Sequence, residues 1–119
     1  MATNPKMKVY HNPRCSKSRL ALEYLSDRNI DYDVVEYLKN DLSYEELNSV
    51  LQKLNMSAYQ LIRRNEAIFK SEFKGVSEGD KDWISVLLEH PKLIERPIIE
   101  LGDKAVIGRP AEEIEKLLV

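Results

Sequence analysis

KMKVYHNPRCSKSRLALEYLSDRNIDYDVVEYL, residues 6–38, is the stretch whose reading decides the fold. Its opening KMKVYH, residues 6–11, is short and β-prone, and it ends at Asn12-Pro13, a turn signal. From Arg19 to Arg28 the composition turns to helix formers. Ala21, Leu22 and Leu25 are spaced to share one face there, and Ser16 or Ser18 is available to cap the start. IDYDVVEYL, residues 30–38, is a second β-prone run. Strand, helix and strand within about 30 residues is the size of a βαβ unit, which predicts parallel strands joined by a right-handed crossover.

Working outward, residues 1–6 read as a leader, and the middle of the chain reads as helical. Ser43-Tyr-Glu-Glu46 is a capping-box pattern followed by Leu47, Val50, Leu51 and Leu54 at helical spacing. Ser57-Ala-Tyr-Gln60 repeats the box and opens a short helix with Leu61 and Ile62 inward. Residues 65–79 carry Gly75 and Gly79 and give a weaker signal. Asp80 to His90 fits a helix that buries Trp83 and Leu87, with Ile84 and Leu88 beside them, and Pro91 marks its end. RPIIEL, residues 96–101, and KAVIG, residues 104–108, are β-prone runs joined by Gly102-Asp103, a tight hairpin signal. Pro110 suits the first turn of a last helix that buries Ala111, Ile114, Leu117 and Leu118. The order is βαβ, then helices, then ββα, in one α/β domain spanning residues 1–119.

Composition sets the outer bounds. With 43% hydrophobic and 32% charged residues, the chain is ordinary globular protein. A net charge of −2 makes the whole molecule no match for nucleic acid or an anionic membrane, so any anion site must be local. No apolar run approaches the ~20 residues that span a bilayer, and the polar start MATNPKMK is not a signal peptide. One cysteine cannot form an internal disulfide, so nothing asks for an oxidising compartment, and the expected location is cytoplasmic.

That cysteine, Cys15, falls just past the carboxyl end of the first strand, where open α/β sheets bind ligands. His11, Arg14, Lys17 and Arg19 lie within a few residues of it. A thiol reacts as its thiolate, and a helix N-terminus with nearby cations favours that form. The competing reading is a small buried hydrophobe with charged neighbours, which is how lone cysteines usually occur. A post-strand turn before a cationic helix start favours the nucleophile. Ser18 completes a Cys-x-x-Ser pattern, and its hydroxyl can donate to the sulfur or to a bound anion. A thiol with no local partner must be released by another molecule. His11 taken alone reads equally as a packing residue or a functional one; its closeness to the thiol favours an electrostatic role, and no companion ligand suggests a metal. Arg96 precedes Pro97 at a strand start, Arg109 precedes Pro110 at a helix start, and Arg63 lies in LIRRN, where Arg64 could exchange with it. Arginine suits forked recognition of an oxyanion; solvated surface charges are the alternative for each.

HNPRCSKSR, LIRRN, HPKLIERPI and IGRP occur in that order, and over residues 7–118 they resemble the glutathione/glutaredoxin-coupled arsenate reductase family. The resemblance implies a thioredoxin-like, three-layer α/β fold with a helical insertion between the βαβ and ββα halves. It implies a nucleophile at Cys15, further catalytic residues at His11 and Ser18, oxyanion binding by Arg63, Arg96 and Arg109, and a cis peptide before Pro97. No metal or bound cofactor is implied. Arsenate or a similar oxyanion would be the substrate, glutathione the reductant and glutaredoxin the protein partner. Cys15 would attack arsenate and expel water or hydroxide, glutathione would attack the adduct, and glutaredoxin would resolve the mixed disulfide. Ser16-Lys17 stands where the best-studied members carry Gly-Thr, which is similar to a shorter branch of the family. Two other classes share these features: a glutathione-dependent thiol oxidoreductase, and regulators of the Spx type that contact RNA polymerase. Ser18 weighs against the second, which uses Cys-x-x-Cys.

Overall fold

Met7–Tyr10 (β1) occupies an inner position of a four-stranded sheet in the computed structural model, which describes residues 7–38 and 42–118. The strand order is β2-β1-β3-β4, with Tyr32–Val35 as β2, Ile98–Leu101 as β3 and Lys104–Ile107 as β4. β1 runs parallel to β2, pairing Val9 with Val34, and antiparallel to β3, pairing Val9 with Ile99. β3 and β4 form the expected hairpin. Leu101 pairs with Lys104, and Gly102 takes the positive φ of 62° that a two-residue loop favours. The expected leader and Lys6 lie outside the described residues.

The chain divides into two compact units, Met1–Asn40 with Arg96–Val119, and Asp41–Glu95. The first holds the sheet, and the second is the helical segment expected between the βαβ and ββα halves.

In the first unit the crossover helix is Ser16–Asp27 (α1), three residues earlier at its start than composition suggested. Neither Ser16 nor Ser18 caps it; the N-cap position belongs to Cys15. Its end is set by Asn29, whose φ of 57° is left-handed. Asn29 N–H then reaches the Ser26 carbonyl at 3.0 Å, and Ile30 N–H reaches that of Leu25 at 3.0 Å. This closing pattern satisfies carbonyls the helix would leave open and turns Ile30 toward the core. Ala21, Tyr24 and Leu25 of α1 pack with Met7 and Val9 of β1, Ile99 of β3, and Ile114 and Leu117 from the chain's last segment. Burying side chains the size of Val9, Leu25, Ile99 and Ile114 stabilises by about 1.5–3 kcal/mol each.

That last segment differs from expectation. Pro110 precedes the helical residues instead of opening them, Ala111–Ile114 forms a 3-10 turn, and only Glu115–Leu118 (α5) is α-helical. Ile114 and Leu117 are buried and Ala111 is half-buried, but Leu118 is exposed. A 3-10 turn advances three residues per turn instead of 3.6. Helical spacing extrapolated from Ala111 therefore misplaces the final position.

In the second unit, Tyr44–Leu54 (α2) begins with the full capping box. Glu46 N–H donates to Ser43 Oγ at 3.0 Å, and Ser43 N–H to Glu46 Oε1 at 3.0 Å. Ser57 and Gln60 exchange the same pair of bonds, at 3.2 and 2.9 Å, and open a 3-10 turn over Tyr59–Leu61. Leu61 and Ile62 are buried, as their spacing implied. Ala67–Glu72 (α3) forms in the region of weak signal and buries Phe69. Trp83–Glu89 (α4) begins later than expected because Asp82 accepts Ile84 N–H at 3.2 Å and acts as its cap. Trp83 and Leu87 are buried together with Val86, while Ile84 and Leu88 are half-buried.

Candidate active site

The site is built on the exit of β1. His11 N–H donates to the Val35 carbonyl at 2.9 Å, extending the parallel ladder by one rung beyond the strand. The chain then turns. Cys15 N–H reaches back to the Asn12 carbonyl at 3.0 Å, and Arg14 N–H to Asn12 Oδ1 at 3.0 Å. The main chain enters α1 with Cys15 in extended conformation at its N-cap, φ −96° and ψ 121°. An N-cap side chain faces the N–H groups of the second and third helical residues. Here those residues are Lys17 and Ser18, and the Cys15 side chain stands at this position without a capping hydrogen bond of ordinary geometry to either.

Burial opposes ionisation of Cys15 and is the largest single influence on it. Against it stand the Ser18 N–H, a hydrogen bond from the Arg96 side chain, the Lys17 N–H and the positive charge of Arg96. Together they prevail and hold the thiol below its ordinary value. The electrostatics thus differ in source from the ring of cations the sequence suggested. Arg14, Lys17 and Arg19 are exposed. Arg19 is spent on the loop itself, donating to the Pro13 carbonyl at 2.8 Å. Lys17 acts through its backbone, and the charge that matters comes from Arg96, 81 residues away in the chain (96 − 15).

Sheet register explains how Arg96 arrives. Tyr10 pairs with Ile98, so the residues following β1 and those preceding β3 lie at one end of the sheet. Ile98 pairs with Ile107, and Gly108 N–H donates to the Pro97 carbonyl at 2.9 Å, which brings Arg109 to that same end. Both Arg-Pro peptide bonds are cis, the first as expected. Arg96 is half-buried, and its Nε–H is buried without a hydrogen-bond partner. Arg109 is exposed.

Two expected site residues behave differently. His11 is buried, its Nδ1 has no hydrogen-bond partner, and burial pushes the imidazole below its ordinary value. The Glu36 carboxylate opposes that shift and Arg19 reinforces it. His11 is therefore a neutral group at pH 7, not the cation an electrostatic role requires. Ser18 is fully buried, and its Oγ accepts Asn12 N–H at 3.3 Å, so its oxygen serves the loop while its backbone N–H serves the sulfur.

Arg63 belongs to the second unit. It follows the short bridge between Ile62 and Ile94, its N–H donates to the Leu93 carbonyl at 2.7 Å, and its side chain pairs with Glu66 and, at 3.8 Å, with Glu95. Arg64 is exposed and stacked on the Tyr59 ring at 4.4 Å, and it donates to the Tyr59 carbonyl. Among the described residues no cluster of three or more His, Cys, Asp or Glu is placed to hold a metal ion. No helix among them is long and apolar enough to cross a membrane. The residue that sequence reasoning passed over is Asn12, noted only as half of a turn signal. Asn before Pro at a strand end is the available clue, since its side chain commonly bonds the backbone two residues on.

The model of the ArsC family matches residues 10–117. An arsenate reductase of Neisseria meningitidis serogroup A is 40% identical over 116 residues, covering 96% of this chain and 99% of its own length. One from Haemophilus influenzae is 38% identical over 112 residues, covering 92% and 97%. The solved structure of an arsenate reductase from Vibrio cholerae matches with a TM-score of 0.87 at 35% identity, covering 96% of this chain and 98% of that one.

Proposed function

The chain belongs to the ArsC family, and we propose that it reduces arsenate to arsenite with the Cys15 thiolate as nucleophile and glutathione and glutaredoxin as electron source. The observation that carries this reading is the placement of Cys15 at the N-cap of α1, its anion favoured by two backbone N–H groups and by Arg96. A thiolate so held meets an oxyanion in the field of the same guanidinium. The Arg96 Nε–H, buried and unpaired within the protein, is a donor suited to an arsenate oxygen.

In the first step the sulfur attacks arsenic, an As–S bond forms, and an oxygen leaves as water or hydroxide. Glutathione then brings a second thiol. Over the cycle two thiols lose their protons and join as a disulfide, arsenic gains two electrons, and one oxygen departs as water. The chain's single cysteine cannot supply both thiols, which is why an external thiol and glutaredoxin complete the cycle. That demand for reduced glutathione suits the cytoplasm.

Arg96 and Arg109 are the proposed oxyanion ligands of the sheet end. Arg63 is the third on the resemblance of LIRRN, preferred to Arg64 because Arg64 is committed to Tyr59. His11 is retained as a neutral neighbour of the loop, and Ser18 as a donor of its backbone N–H.

The test is turnover of arsenate by the purified protein with glutathione, glutaredoxin and a coupled reductase. Arsenite formation that Cys15→Ser abolishes is expected. A wild-type protein whose Cys15 alkylates readily at neutral pH, yet forms no arsenite, overturns the arsenate reading.

A further inference from the structure

The loop that delivers Cys15 is organised by one residue, three positions before it. Asn12 is 9% exposed, at the point where the chain leaves the sheet and immediately before Pro13. Three of its polar groups are used, each on a different part of the loop. Its Oδ1 accepts Arg14 N–H at 3.0 Å, its carbonyl accepts Cys15 N–H at 3.0 Å, and its N–H donates to Ser18 Oγ at 3.3 Å. The first is a side-chain turn that mimics a backbone turn, the second closes a four-residue turn with Pro13 in its favoured position, and the third ties that turn to the first turn of α1.

From these contacts we propose that Asn12 is a positioning residue for Cys15: its carboxamide locks the turn 12–15 and so holds Cys15 in its extended conformation at the N-cap of α1. Pro13 fixes one dihedral of the loop, but Arg14 and Cys15 remain free to rotate unless their N–H groups are held. Both are held by Asn12. Remove the carboxamide oxygen and Arg14 N–H loses its partner, the turn loosens, and the sulfur drifts from donors that act only at close range. Arg96 is the charged side chain that faces the sulfur. It enters from the β3 side and is untouched by the change, so part of the thiolate stabilisation survives.

This rests on the reading of Cys15 as the nucleophile, and the experiment separates the two. The rate of Cys15 alkylation by a neutral reagent is followed against pH in the wild type and in two near-isosteric pairs, Asn12→Ser with Asn12→Ala, and Asn12→Thr with Asn12→Val. The wild-type midpoint tests Cys15 itself. The differences within each pair test Asn12, because Ser and Thr keep an oxygen acceptor for the Arg14 N–H and Ala and Val do not. Asn12→Ala and Asn12→Val are expected to raise the midpoint by about one pH unit, and Ser and Thr to restore most of it. At a pH above all the midpoints the alkylation rates should lie within about threefold of one another, the thiolate of higher midpoint being the slightly better nucleophile. Unchanged midpoints in Ala and Val overturn the proposal. Equal shifts in both members of a pair overturn it too, since the acceptor would then not be what matters. If one pair does not fold, the other reads the same difference.

Discussion

Gly108 donates its N–H to the carbonyl of Pro97 at 2.9 Å, so the residue before one Arg-Pro pair is bonded to the proline of the other. The two pairs thereby share a single sheet end with the loop that leaves β1. This approach requires glycine. A Cβ at 108 would stand 2.5 Å from Ile99 Cδ1 and 3.3 Å from Pro97 Cγ, and Ile99 is fully enclosed in the core.

Gly108→Ala should accordingly destabilise the fold by about 1–3 kcal/mol, the usual cost of overpacking a filled core. Because the crowding falls on Pro97 and on β3, which Arg96 immediately precedes, oxyanion turnover should fall along with the denaturation midpoint. A variant as stable as the wild type would show that Ile99 can give way freely.

Much of this arrangement was legible in the residues. β-prone runs bounded by turn signals placed the strands, helical spacing placed α2 and α4 but not α3, and both Ser-x-x-Glu/Gln boxes formed as written, because capping is local chemistry. The start of α1 was not legible. Cysteine is not a recognised capping residue, and Lys17 and Ser18 resemble loop composition, so nothing local announced Ser16 as helical. Arg96 was legible as a candidate from its place at a strand start, but its nearness to Cys15 was not, since strand register brings residue 96 to the end of the sheet where residue 15 lies. The neutrality of His11 follows from burial, which no local sequence pattern reports.

Ser18→Ala should cost about 1–3 kcal/mol of stability, since the buried Asn12 N–H is left without its acceptor. The backbone N–H that faces Cys15 is retained. Arsenate turnover should therefore weaken in Ser18→Ala and vanish in Cys15→Ser. Equal and complete loss in both would assign the Ser18 hydroxyl a direct part in the chemistry.

The lowered Cys15 value also predicts how stability varies with pH. Between the folded thiol's value and the ordinary 9.0 of the unfolded chain, the unfolded state binds more protons. Unfolding free energy therefore rises with pH through that window. The contribution is complete above about 9 and is lost as pH falls through the folded value. Subtracting the Cys15→Ser profile from that of the wild type isolates it. A difference that is flat, or that shrinks as pH rises, would mean the folded thiol is not depressed.

The arginines are separable by two readouts. Lysine keeps the charge but loses the planar fork, so Arg63→Lys, Arg96→Lys and Arg109→Lys should each lower oxyanion turnover by tenfold or more, on the order of what one lost charge-assisted hydrogen bond costs. Only Arg96 also donates to the Cys15 sulfur. Arg96→Lys should therefore raise the midpoint of Cys15 alkylation by a neutral reagent. Arg109→Lys, at an exposed position past β4, and Arg63→Lys, at a side chain paired with Glu66 and Glu95, should leave that midpoint where it is. Full turnover in Arg63→Lys together with loss in Arg64→Lys would transfer the third position to Arg64 despite its stacking on Tyr59. Full turnover in all three lysine variants would reduce the site to a reactive cysteine without a built oxyanion pocket.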